Sequence, residues 1–168
     1  MKTKMQTEFL VDKDSNTMTI TREFAATHQQ VWDCYTKSEL LNKWWAPKPF
    51  ITTTKSMAFK ERGHWHYAMI DPDGQKYWGR MEYQTIKPIQ YFEIRNGFSD
   101  ESGEMNSSLP VSKWKLTFED SNERAAVQIV VSYDSTKDLE QVIAMGMQQG
   151  LTSALDGLEE LLLSMTKS

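Results

Sequence analysis

A single cysteine, Cys34, excludes an intramolecular disulfide and a thiolate metal cluster from this chain of 168 residues. It sits in a helical pattern beside Trp32 and Tyr35, where a small hydrophobe in a core is the plain reading. No apolar run approaches the ~20 residues that a bilayer span needs. Charge of one sign is also missing: 19 Lys and Arg against 23 Asp and Glu give a net charge of −4 with no block of like charges. A dedicated nucleic-acid binder, which presents a basic stripe to phosphates, is therefore not expected. The first residues, Met1 to Glu8, carry charge but no apolar stretch after it, so no secretory signal is read and the cytoplasm is the expected location. Walker loops, Gly-rich dinucleotide turns, Gly-x-Ser-x-Gly elbows and His-Glu-x-x-His pairs are absent as well.

What is present fits one domain. Hydrophobic residues at 39% and charged residues at 25% are ordinary globular values. At this length roughly 68–70% of the unfolded surface can be buried. We expect an N-terminal extension over 1–16 and a core over about 17–164. Thr17 to Phe24 alternates as a half-buried strand. Thr27 can cap a short helix through Tyr35, and Ser38 a second one through Trp45 that Pro47 and Pro49 end. Strands are then read near Phe50–Ala58, His64–Ile70, Lys76–Ile86, Gln90–Phe98, Val111–Glu119 and Arg124–Tyr133. Short turns separate them, among them Asp71-Pro-Asp-Gly74 and Asp120–Glu123, with one long polar loop at Ser99–Pro110. Such a meander favours antiparallel neighbours. Ser135 to Ser164 closes the chain as one amphipathic helix, and about 28 residues at 1.5 Å each reach roughly 42 Å, across a whole sheet.

Alternation sorts the sheet into a greasy face and a wet one. Trp65, Tyr67 and Met69; Phe92, Ile94 and Phe98; Trp114, Leu116 and Phe118; and Val127, Ile129, Val131 and Tyr133 point one way. Glu93, Arg95, Lys113 and Lys115 point the other. A twisted sheet of this many strands curls, and one helix does not fill its concave side, so space for a ligand is geometrically natural. Gly146 and Gly150 share a helix face, and each costs on the order of 1 kcal/mol relative to alanine. Close contact with the sheet or room over a cavity accounts for the pair.

The run Thr21-Arg-Glu-Phe-Ala-Ala26, then Val31-Trp32, Trp44-Trp45, Gly63-His-Trp65, Pro72-Asp-Gly74, Gly79, Pro88 and Gly146-Met-Gln-Gln-Gly150 before Leu155-Asp-Gly-Leu158, resembles the family named after the activator of the heat-shock protein 90 ATPase. That family lies in the START-like, Bet v 1-like superfamily, and the likeness spans about residues 17–163. It implies an α+β helix-grip fold: a curved seven-stranded antiparallel sheet around a long C-terminal helix, two short helices after the first strand, and an apolar pocket between. Two departures bear on the pocket mouth. Gly63-His64 stands where many members have paired glycines, and Gly150-Leu151 where a Gly-Trp pair is usual.

The resulting expectation is a protein that binds a small apolar or aromatic molecule in a cavity walled by Trp44, Trp45, Trp65, Tyr67, Met69, Met81, Tyr83, Phe92 and Trp114. Arg22 shares a strand face with Ile20 and Phe24, so its guanidinium needs either a carboxylate partner or an anionic ligand group. His64 and His66, two apart on a strand, could chelate a metal, but no third His or Cys is nearby and they fall opposite Trp65, so an exposed polar pair is expected. No cofactor and no catalytic residue is assigned. An enzyme acting on a hydrophobic substrate in the same pocket, which would need an inward titratable group, is the first alternative. A co-chaperone-like module acting through its surface is the second, and a homodimer is left open.

Overall fold

The computed structural model describes residues 7–121 and 124–166. Among the described residues eight strands and four helices follow one another: β1 (Glu8–Asp12), β2 (Thr17–Phe24), α1 (His28–Thr36), α2 (Ser38–Trp44), β3 (Ile51–Met57), β4 (His64–Ile70), β5 (Lys76–Lys87), β6 (Tyr91–Phe98), β7 (Ser112–Ser121), β8 (Arg124–Ser132), α3 (Thr136–Ala144) and α4 (Met147–Thr166). All strands join one antiparallel sheet in the order β1-β2-β8-β7-β6-β5-β4-β3. This is the helix-grip arrangement. The meander from β3 to β8 runs across the sheet strand by strand, and β2 closes it on the far side.

Two expectations need correction. The sheet has eight strands, because Glu8–Asp12 in the supposed extension pairs with Thr17–Thr21 as an edge strand. Its Phe9 and Val11 pack on the core while Leu10 stays exposed, so the segment is a short alternating strand of the kind that five residues signal weakly. The C-terminal helix is not continuous either. Gly146 adopts φ +90°, its amide donates to the Ile143 carbonyl, and α3 ends there before α4 begins. Glycine takes that left-handed conformation without the Cβ penalty, which explains why it stands at the break.

The local signals account for the other elements. Thr27 caps α1 through a capping box with Gln30. Ser38 is not a cap, since Lys37 holds that position for α2 and makes no side-chain bond there; Ser135 does cap α3, accepting from the Asp138 amide. Of the turn expected at Asp120–Glu123, residues 122 and 123 lie outside the described residues. Bulges fall between Thr54 and Ser56 and between Tyr83 and Thr85, leaving Gly79 in regular register opposite Tyr67 and Phe98. Met81 and Tyr83 therefore do point inward, and Glu82 pairs with Arg95, at 3.1 Å. Among the described residues no helix is long and apolar enough to cross a membrane.

A candidate ligand cavity

The concave side of the sheet is filled unevenly. Toward α1 it is solid: Trp32 meets Phe59, Phe92 and Phe118 edge-on at 5.0–5.9 Å, and Tyr83 packs against Phe59 and Phe92. Toward α3 and the start of α4 it is open, and a cavity of about 480 Å³ lies there. That volume is within the range of sites for small molecules. Tyr67 and Met69 of β4, Gly79 of β5, Asn96 and Phe98 of β6, and Ser112 and Trp114 of β7 form its floor, with Tyr133 just after β8. Val142, Met145, Met147, Gly150, Leu151 and Ala154 roof it. Trp45, Pro47, Phe50, Tyr77 and Pro110 stand at its ends, and Met145 and Tyr77 are exposed there.

Of the expected wall residues, Trp45, Tyr67, Met69 and Trp114 do border the cavity. The others do not. Trp65 is fully buried behind Tyr67, stacked on it at 4.1 Å between ring centroids, and its Nε1–H donates to Thr54 Oγ1 at 3.0 Å. Trp44 packs on Tyr35 and donates Nε1–H to the Cys34 carbonyl at 2.8 Å. Met81, Tyr83 and Phe92 are buried but do not line the cavity, and Tyr83 and Phe92 pack into the solid end. Alternation identifies the face of a strand, not which part of that face the helices leave uncovered.

Arg22 takes the carboxylate alternative. It is buried on β2, and its Nη atoms donate to Asp156 Oδ1 at 2.8 Å and Glu159 Oε1 at 3.1 Å of α4, and to Thr7 Oγ1 at 2.9 Å. It is not in the cavity wall. The histidine reading also changes. His66 is buried rather than exposed: its Nε2–H donates to the Asp100 carbonyl at 3.1 Å and its ring lies 4.9 Å from Trp78. The loop after β6 folds back over this part of the outer face and covers it. His64 lies 2.7 Å from Ser56 Oγ, and burial, then Arg80 and His66, pull its pKa below the usual histidine value against the opposing pull of Glu82. Among the described residues no group of three His, Cys, Asp or Glu could hold a metal ion.

The polar groups of the wall are the part that the sequence reading missed. Asn96 and Ser112 occupy inward positions on β6 and β7, where a polar residue in an otherwise apolar set is the available signal. Asn96 Nδ2–H donates to Tyr67 Oη at 3.3 Å, and Trp114 Nε1–H donates to Ser112 Oγ at 2.8 Å. Burial raises the pKa of the Tyr67 phenol, with Asn96 and Trp45 opposing it, and pushes that of Tyr133 up to about 12. The titratable groups bordering the cavity are tyrosines, and all are neutral phenols near pH 7.

The comparisons with known proteins agree with this architecture. A family model described as "Activator of Hsp90 ATPase homolog 1-like protein" matches residues 25–163. A crystal structure from Mycobacterium smegmatis is 33% identical, superposes with a TM-score of 0.86, and the match covers 95% of this chain and 97% of that one. A solution structure from Arthrobacter aurescens is 26% identical with a TM-score of 0.88, over 94% of this chain and 91% of that one. The fold is shared at lower identity by a Silicibacter pomeroyi protein, at 20% and a TM-score of 0.69 over 88% and 99% of the two chains. No curated protein matches the sequence.

Proposed function

Because the chain belongs to the family of activator of Hsp90 ATPase homolog 1-like proteins, a fold that carries many roles on one scaffold, we propose from its own cavity that it binds a small, mainly apolar molecule. The observation that carries this reading is the cavity of about 480 Å³, whose wall joins the rings of Trp45, Phe50, Tyr67, Phe98 and Trp114 to three methionines. Aromatic faces and polarisable thioethers supply large contact area to an apolar guest. Phenols with raised pKa are poor proton-transfer groups near neutrality, which favours binding over acid–base catalysis.

Gly150 gives a direct test. It lies on the cavity roof in α4, and a Cβ built on it would meet only Pro47 Cγ, at 3.8 Å. Gly150→Phe therefore fits the backbone and adds a ring at the cavity roof. With fluorene as an uncharged probe, followed by quenching of tryptophan fluorescence, the wild type is expected to bind at micromolar concentration and Gly150→Phe to lose at least tenfold in affinity. Equal binding by the two proteins would put the guest elsewhere. Failure of fluorene to bind while a heat-shock ATPase responds to the protein would favour a surface-acting role.

A further inference from the structure

Across the mainly apolar cavity wall runs a row of hydroxyl and amide groups; the Tyr77 hydroxyl, also on the lining, is engaged by Asp71 at 3.3 Å. Asn96 on β6 is the register partner of Ser112 on β7. Ser132 of β8 partners Lys113, which places the next residue, Tyr133, level with Ser112. At the other end, the Tyr67 hydroxyl reaches over Gly79 to lie 3.3 Å from Asn96 Nδ2. Neighbouring strands are about 4.8 Å apart, so Asn96 and Tyr133 stand roughly 10 Å from one another.

The hydrogen-bond inventory of this row is lopsided. Tyr67 Oη accepts from Asn96, and its own O–H has no acceptor among the described residues. Ser112 Oγ accepts from Trp114, which leaves its O–H in the same state. The Tyr133 hydroxyl has no hydrogen-bond partner among the described residues, although the residue is only 8% exposed. Donors on a cavity wall become costly to leave unmatched once a guest seals them from water. Three O–H donors thus face one cavity, which offers in return the Asn96 carbonyl and the lone pairs of the hydroxyls. Among the described residues no Lys, Arg, His, Asp or Glu side chain borders the cavity, so an ionised guest group would be desolvated there without a counter-ion from them.

Resting on the binding reading above, we infer that the guest is an uncharged compound whose carbonyl-class oxygens accept from the row formed by Tyr67, Ser112 and Tyr133. The row sets specificity and the aromatic walls supply contact area. A site built to hydrogen-bond an oxygen discriminates against an analogue that lacks it, because the buried donors then stay unmatched.

Fluorene and 9-fluorenone form the test pair, since they share a ring skeleton and differ by one carbonyl oxygen. The wild type is expected to bind fluorenone about tenfold more tightly than fluorene, equivalent to about 1.4 kcal/mol. The C=O stretch of bound fluorenone should move to lower wavenumber. At least one of Tyr67→Phe, Ser112→Ala and Tyr133→Phe should erase the advantage and reverse the spectral shift. Tyr133→Phe removes a hydroxyl that bonds to nothing, so it keeps the test usable if another variant fails to fold. Equal affinity for the two probes with an unshifted carbonyl stretch would overturn the inference and leave the binding reading standing. Binding of neither probe would overturn both.

Discussion

Tyr67 lies flat over Gly79, its cross-strand partner: a Cβ built on Gly79 would stand 2.6 Å from Tyr67 Cζ and 2.7 Å from its hydroxyl. The glycine is there because the ring occupies the space that a side chain would take. This contact holds the phenol against the cavity floor, within reach of Asn96. Gly79→Ala should therefore push the ring off the sheet, disturb its stack on Trp65 and break the Asn96 bond. Forcing a methyl into such a contact costs about 1–3 kcal/mol. Urea denaturation should show that loss, and near-UV circular dichroism should show the Tyr67–Trp65 pair altered. Unchanged stability and an unchanged spectrum would mean that the ring has somewhere else to go.

The sequence carried most of the fold and less of the site, for reasons visible in single residues. Alternation placed Tyr67, Trp114 and Tyr133 on the inner face because a strand has a strict period of two, and register keeps that assignment. Position along the face depends on where α3 and α4 lie, which is a long-range outcome of packing. Trp44 and Trp65, expected at the wall, pack behind Trp45 and Tyr67, and Met81, Tyr83 and Phe92 lie in the core away from it, while Val142, Met145 and Leu151 of the roof were not anticipated. The break at Gly146 is intermediate: glycines four apart marked the segment as unusual, but a single left-handed residue was needed to divide the helix. His66 escaped because the loop of residues 99–110 covers the outer face, and loops leave no periodic trace.

Arg22 joins β2 to α4 through ion pairs with Asp156 and Glu159. The residue is 2% exposed and holds Asp156 and Glu159, which are 35% and 19% exposed. Its ring neighbour is Phe24, with the guanidinium carbon 5.5 Å from the centroid. Removing one partner of a buried ion pair leaves charge without compensation and costs on the order of 3–5 kcal/mol; the partial exposure of both carboxylates puts this site at the lower end. Arg22→Met should accordingly lower the denaturant midpoint by the equivalent of about 3 kcal/mol without affecting fluorene binding once folded. A variant as stable as the wild type would show that the pair sets geometry rather than stability.

Cys34 and the buried tyrosines make alkaline pH the vulnerable side of this protein. Burial first, then the Asp33 charge, push the Cys34 thiol up to about 12, with Lys43 opposing, and burial alone raises Tyr133 to about 12. In both, the protonated form is favoured by folding, so the folded chain holds protons that the unfolded chain releases. The stabilisation is complete below the ordinary values of 9.0 for the thiol and 10.0 for the phenol and is lost as pH rises through about 12. Each group contributes a slope of up to roughly 1.4 kcal/mol per pH unit within its window. Denaturation midpoints should thus fall from pH 9 upward. In the same way, Cys34 should resist iodoacetamide at pH 8 in the native protein and react at once in urea. Rapid alkylation of the native protein would show that the helix pair α1 and α4 opens around the thiol, and a flat stability profile to pH 11 would show that these protons are not held by folding.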